Sequence, residues 1–360
     1  MKKILFFFLT AALLFPGCSK FGKGGEGRQI TFEVRTESKT GDLTKTSYSN
    51  RLYTSEGLQY ERIDWLSTDL IRIYSPEASH RYSTDRHYAD YQLANITEDG
   101  RYSRASLINA GIVYVNGIDP GVPDPAGDID QNVNGLVWGS ASSYDFYART
   151  PIGPITATEM TAEIPDEQVL TWTGNTGAPD MKYAVMFAKT TGIADKGTVN
   201  LYFYPKFTAF EFSVNSGENT NVDLEWFKLS SPTQPVAADL FSVSTADESV
   251  TVEDTDAHDT IMVDFTTLTG GNLTITPENK AVFTVFALPT TLTDLTISFK
   301  LVGETRIRSL RLNYSNGTPI TFQPGVKYKI VGITFPRLHE LYGEDILWDV
   351  QAVGENLIWD

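Results

Sequence analysis

The sequence predicts an all-β protein, built as two antiparallel Greek-key β-sandwich domains in tandem. Apolar and polar residues alternate with a period of two in segment after segment, as in strands with one buried face. Clusters of Gly, Asn, Ser and Thr separate those segments, and no long stretch carries the period of an amphipathic helix. Composition agrees: 17 Tyr and 20 Phe against 5 Met suit pleated, half-buried surfaces better than helix bundles. At 360 residues the chain has the length of roughly two domains of ~150 residues each, ample to bury cores without cross-links.

Residues 1–17 read as an export signal. Lys2 and Lys3 precede the apolar run Ile4–Leu14, which is too short to span a bilayer, and Phe15-Pro16-Gly17 leads into Cys18. Cys18 is the only cysteine, and it stands where a lipoprotein signal places its acylated residue, with Leu14 and Gly17 suiting a lipobox. We expect lipid on Cys18 to anchor the exported protein. Acylation leaves no thiol, which excludes disulfides, thiolate metal sites and cysteine nucleophiles. Residues 18–27 (SKFGKGGEG after the cysteine) form a flexible tether; they lack both the preceding strand and the GK[ST] of a phosphate loop.

Strand patterns follow in order. Ile30, Phe32 and Val34 face one way, with Thr31, Glu33 and Arg35 opposite. The alternation returns at residues 70–74, 199–204, 210–214, 295–299 and 328–333. Turn clusters stand at Asn215-Ser216-Gly217, Thr269-Gly270-Gly271-Asn272 and Ser315-Asn316-Gly317. A domain break is expected around Thr191–Gly197, dividing an N-terminal domain (28–192) from a C-terminal one (193–336) and a tail (337–360).

Charge narrows the partners. The chain has 45 acidic and 29 basic residues, a formal net charge of −16, which repels phosphate backbones and anionic headgroups. No nucleic-acid partner is expected, and the membrane is reached by the lipid alone.

Chemistry is hard to find. The four histidines, His80, His87, His258 and His339, belong to no HExxH motif, and no serine sits in a GxSxG elbow. His80 and His87 read as solvated loop. No acidic pair stands out for glycoside hydrolysis, so neither catalysis nor a cofactor is expected. The run Asp128, Asp130, Asn132, Asn134 places oxygen ligands at alternate positions and matches the first half of a calcium loop. Ala141 occupies the place of the closing acid, so a polar turn is the better reading and calcium binding the weaker one. The acidic turn Glu253-Asp254-Thr255-Asp256 with Asp259 reads as solvated. Trp65, Trp138, Trp172 and Trp226 lie in or beside strand patterns and read as core rather than as a sugar-stacking surface.

Several segments together resemble the fimbrillin-like lipoproteins of Bacteroidales, the type V pilin family. Thr44-Lys45-Thr46 followed by Ile63-Asp64-Trp65-Leu66-Ser67-Thr68-Asp69-Leu70-Ile71-Arg72-Ile73 is similar to "TKT…W-x-x-GD-x-I-x-V", with Thr68 in place of Gly. Tyr144–Pro151 resembles "Y-x-F-x-A-Y-Y-P", and Asp180–Ala184 resembles "DLMYA". Val199–Val214 is similar to "V-x-L-x-F-x-H-x-L-S-K-L-x-F-x-V", with Pro205 in place of His. Ala287-Leu288-Pro289, Leu295–Phe299 and Phe322–Ile330 resemble the family's terminal pattern. The resemblance spans about residues 30–335. It implies two β-sandwich domains, an outer-membrane or fimbrial location, and a structural or adhesive role in a pilus. It further implies trimming by an extracellular protease, often after Arg, and filling of the resulting groove by a neighbouring subunit's terminal strand.

The chain supplies parts for this. Arg28 and Arg35 flank the first strand pattern and are candidate processing sites. Beyond Pro336, Ile346, Trp348, Val350 and Ala352 alternate with Leu347, Asp349 and Gln351, and this leftover apolar-faced strand is what β-augmentation uses. The expectation is therefore a surface lipoprotein that assembles with itself or other pilus subunits by strand exchange. The alternative is an outer-membrane glycan-binding lipoprotein for nutrient capture. The sequence names no receptor.

Overall fold

The computed structural model describes residues 27–36, 48–55, 58–63, 65, 69–80, 84–98, 103–109, 135–217, 221–268, 272–292, 294–313, 320–335 and 354–356. The described residues are strands and their connections, apart from one 3-10 turn at Met181–Tyr183 capped by Asp180. None of their helices is long and apolar enough to cross a membrane. The chain is all-β.

Seven strands close into a barrel: β1 (Thr31–Thr36), β2 (Leu70–Tyr74), β3 (Tyr88–Glu98), β4 (Ser103–Asn109), β5 (Tyr144–Thr150), β6 (Met186–Ile193) and β7 (Thr198–Pro205). Their order is β1-β7-β6-β5-β2-β3-β4, and β4 pairs back onto β1. Period-2 alternation is realised as inside and outside. Ile71 and Ile73 of β2, and Val199, Leu201 and Phe203 of β7, are buried while the residues between them are not. Aromatic rings fill the interior: Phe32 lies edge-on to Tyr91 and Phe146, Trp138 to Tyr144, and Trp65 to Phe203.

The chain continues through β8 (Thr208–Ser216), β9 (Val222–Ser230), β10 (Ala237–Ser244), β11 (Thr260–Asp264), β12 (Ala281–Ala287), β13 (Asp294–Leu301), β14 (Ile307–Asn313), β15 (Val326–Phe335) and β16 (Gly354–Asn356). One sheet runs Thr171–Thr173, Thr176–Ala178, β12, β8, β15, β16, and another runs β11, β9, β13, β14. Phenylalanines join them: Phe227 of β9 meets Phe212 of β8 at 4.5 Å and Phe283 of β12 at 5.0 Å, and Phe299 of β13 meets Phe335 of β15 at 5.5 Å. A further sheet pairs strand Glu159–Ile164 with β10. Gly177 allows the hairpin at the first sheet's edge, because a Cβ there would lie 2.8 Å from the Trp172 ring.

Three findings differ from the sequence expectations. The pairing is not wholly antiparallel: β1 runs parallel to β7, β8 to β15, and Thr176–Ala178 to β12. Period-2 alternation is the same in both senses, and parallel partners sit far apart in sequence, so nothing local marks them. Residues 194–197, within the expected domain break, are the turn of the β6–β7 hairpin. His80 is not solvated; it is 5% exposed, in the short strand Ser79–His80 that pairs with Leu136–Val137. His87 is half-buried, with Nδ1 2.6 Å from the Ala78 carbonyl.

Candidate functional site at the two chain ends

The segment Gly27–Thr36 changes partner midway. At its start the Gly27 N–H donates to the Trp138 carbonyl at 2.7 Å, Trp138 N–H to the Arg28 carbonyl at 3.0 Å, and Ile30 N–H to the Leu136 carbonyl at 2.9 Å. From Thr31 onward it enters the barrel as β1, parallel to β7 from Thr31 opposite Thr198 to Thr36 opposite Phe203. On its other side, Glu33 and Val34 stand opposite Ser106 and Ala105 of β4. Ile30, Phe32 and Val34 are buried, at most 2% exposed, while Thr31 is exposed. The strand is thus interior to a closed sheet and fills the middle of its core.

The two candidate processing residues are placed differently. Arg28 is exposed and precedes β1, its carbonyl accepting from the Trp138 N–H. Arg35 lies within β1, opposite Tyr202. The sequence brackets the strand with both, and only the structure separates them.

The barrel wall beside β1 depends on it. β7 pairs with β6 over Phe203–Pro205, whereas β1 pairs with it from Thr198 to Phe203. The Thr190 hydroxyl adds a bond to the Asn200 carbonyl at 2.7 Å. Removing β1 would take away the larger of the two ladders.

At the other end, β16 pairs antiparallel with β15, setting Val326 opposite Asn356, Lys327 opposite Glu355 and Tyr328 opposite Gly354. β15 carries a bulge between Ile330 and Ile333 relative to β8. Lys327 of β15 is fully buried and pairs with Glu211 of β8 at 2.6 Å. Ile346, Trp348, Val350 and Ala352 lie outside the described residues, as do Cys18, Asp128, Asp130, Asn132, Asn134 and His339.

The other candidates scatter. Trp65 and Trp138 are 1% exposed and belong to the barrel core; Trp172 packs on Phe265 and Phe283, and Trp226 is half-buried. His258 Nε2 lies 3.0 Å from Asp239 Oδ1, with Asp166 Oδ2 3.9 Å from its Nδ1. Among the described residues no group of three His, Cys, Asp or Glu could hold a metal ion.

Sequence reasoning missed the buried Arg149. Its guanidinium donates to the Pro151 carbonyl at 2.8 Å, the Pro154 carbonyl at 3.1 Å and the Thr161 carbonyl. Burial, with Arg72 nearby, brings its pKa down to about 10, which leaves it charged at neutral pH. Gly153 packs against it so closely that a Cβ would lie 2.7 Å from its Cζ. An Arg beside a run of apolar residues (Phe146-Tyr147-Ala148) and followed by a Pro/Gly loop was the signal in the sequence.

No protein-family model and no curated protein matches the chain. Solved structures to which it is similar include a candidate cell adhesion protein of Bacteroides uniformis (16% identity, 84% of this chain and 92% of that one, TM-score 0.45). Another, from Bacteroides ovatus, has 12% identity over 86% of this chain and 93% of that one, with a TM-score of 0.44. A fimbrial assembly protein of Parabacteroides distasonis has 10% identity over 85% of this chain and 90% of that one, with a TM-score of 0.38. These are Bacteroidales proteins, as are those that the sequence motifs resemble.

Proposed function

We propose that this chain is a lipid-anchored surface protein, a pilus subunit or adhesin, that assembles by protease-triggered exchange of its first barrel strand. The observation that carries the reading is β1 itself: a core-filling strand at the start of the described chain, with an arginine on either side of its buried residues. Cleavage after Arg28 leaves the barrel whole. Cleavage after Arg35 cuts Ile30, Phe32 and Val34 loose and leaves an apolar slot between β7 and β4. The second bond lies inside a hydrogen-bonded strand, so a protease reaches it only after local opening. Trimming at Arg28 therefore comes first, and assembly waits for Arg35.

The replacement strand in this reading is the tail. Its described residues pair with β15 as β16, beside a strand whose Ile330, Ile333 and Phe335 are buried. We propose that the tail is stored there in the free subunit and moves to a neighbour's slot on assembly, since both sites accept the same alternation.

The experiment incubates purified protein with an Arg-specific protease and follows size by light scattering and cut sites by mass spectrometry. Protein cut at Arg35 should form higher oligomers, while protein cut only at Arg28 stays monomeric. Trp348→Asp, or a chain ending at Leu341, should be trimmed yet stay monomeric. If the shortened chain assembles as well as the full one, the tail is not the donor.

A further inference from the structure

The turn Ser244–Ser249, which follows β10, reaches back to the barrel and is held there at several points. The Lys189 ammonium of β6 donates to the Thr245 carbonyl at 2.6 Å and the Ala246 carbonyl at 3.3 Å. Thr245 donates its N–H to the Thr158 carbonyl at 2.9 Å and its hydroxyl to the Ala157 carbonyl at 2.5 Å. The Glu248 carboxylate pairs with the ammonium of Lys206, the residue directly after β7, whose side chain is 6% exposed. Lys206 is itself fixed, its N–H donating to the Val185 carbonyl at 2.8 Å and its ammonium lying 5.7 Å from the Phe187 ring centre.

Glu248 has a φ of 63°, the only positive value at a non-glycine among the described residues. A turn that needs this conformation is ordinarily given Gly or Asn, because other side chains crowd their own backbone there. Neither would supply a carboxylate, and a buried ammonium without one is strongly unfavourable. In this conformation Glu248 brings its carboxylate to the Lys206 ammonium.

We propose that this turn is a brace for the β6–β7 wall of the barrel, and that it holds that wall in place when β1 leaves. The second half of the proposal rests on the strand-exchange reading. Without β1, β7 keeps its three-residue ladder with β6 at Phe203–Pro205 and the Thr190–Asn200 bond. The brace grips at that end, through Lys206 directly after β7 and Lys189 of β6. A slot whose wall collapsed would have to be rebuilt before a donor could enter; a braced wall stays ready.

Amide hydrogen exchange on the full chain tests this, with the variant Lys189→Met/Glu248→Gln and with Glu248→Gln alone. In uncut protein the Thr245 and Lys206 amides should exchange about 10-fold faster in the double variant, with strands β2 and β3 unchanged. Unchanged exchange at Thr245 and Lys206 refutes the brace, and a loss of protection throughout the barrel in both variants refutes it as a local device. After cleavage at Arg35, residues 203–206 should keep their protection in the wild type and lose about 10-fold in the double variant. Equal loss in both means that the brace does not preserve the wall. If the protease never releases β1, the strand-exchange reading fails, and the uncut comparison still decides the brace.

Discussion

Replacing Phe32 with Ala should destabilise the protein by about 3–5 kcal/mol, the range for emptying a buried aromatic site. Phe32 is 1% exposed and meets Tyr91 and Phe146 edge-on, both at 5.4 Å, so its removal leaves a hole lined by rings that cannot easily collapse. Thr31 is the control. It is on the same strand, exposed, and its replacement by Ala should change stability by less than about 0.5 kcal/mol. Urea unfolding of both variants, followed by circular dichroism and compared at equal slope, gives the difference. The strand as a whole matters more: full burial is worth ~1.5–3 kcal/mol for each of Ile30, Phe32 and Val34, together about 5–9 kcal/mol. Total stabilities of folded domains are only about 5–15 kcal/mol. Protein cut after Arg35 should therefore be marginal once the fragment leaves, and a peptide of residues 28–36 should restore its unfolding midpoint. If Phe32→Ala costs under about 1 kcal/mol, β1 does not fill the core and the slot does not exist.

Other outcomes can be checked separately. Cys18→Ala should leave the precursor unlipidated and release it from membrane fractions, measured in detergent-free washes. Calorimetric titration should show no micromolar calcium affinity, because the loop at Asp130 lacks its closing acid; tight binding abolished by Asp130→Ala would reverse that reading. Gly153→Ala should lower the thermal midpoint, since the new methyl meets the buried Arg149 guanidinium at 2.7 Å and displaces a group tied to three carbonyls.

Much of the fold was legible because its strands have one wet and one dry side. The six alternating segments noted between residues 30 and 333 lie on strands, Ile30 standing just before β1, and in β2 and β7 the buried positions are the apolar ones. Pairing was not legible. The β1–β7 contact joins residues 31–36 to 198–203, and a strand's own pattern does not record which distant strand lies beside it or in which sense. The same limit applies to residues 194–197, which have the composition of a linker and form the turn between two paired strands. Buried charges were the other blind spot. Arg149, Lys206 and Lys327 read as surface residues by type, yet each is 5% exposed or less, Arg149 held by carbonyls of the loop and strand that follow it and the two lysines by carboxylates from another part of the chain.

The position of β1 in both chain and sheet bears on why this strand, and not another, would be the one exchanged. A closed barrel has no edges, so extracting any strand creates two at once. An internal strand such as β5 is tethered at both ends and needs two cuts to leave, whereas β1 precedes every other barrel strand and needs one. Its neighbours also differ in sense, β7 parallel and β4 antiparallel. An incoming strand that runs opposite to β1 would meet the reverse combination, antiparallel to β7 and parallel to β4, so the ladders exclude neither orientation. What the slot does demand is period: residues two apart must be apolar to replace Ile30, Phe32 and Val34. The backbone thus sets few conditions on the donor's direction and a strict one on its alternation. Ile346, Trp348, Val350 and Ala352 meet that condition in sequence. The selectivity of assembly would then lie in how well a Trp-sized side chain fits where Phe32 now sits between Tyr91 and Phe146.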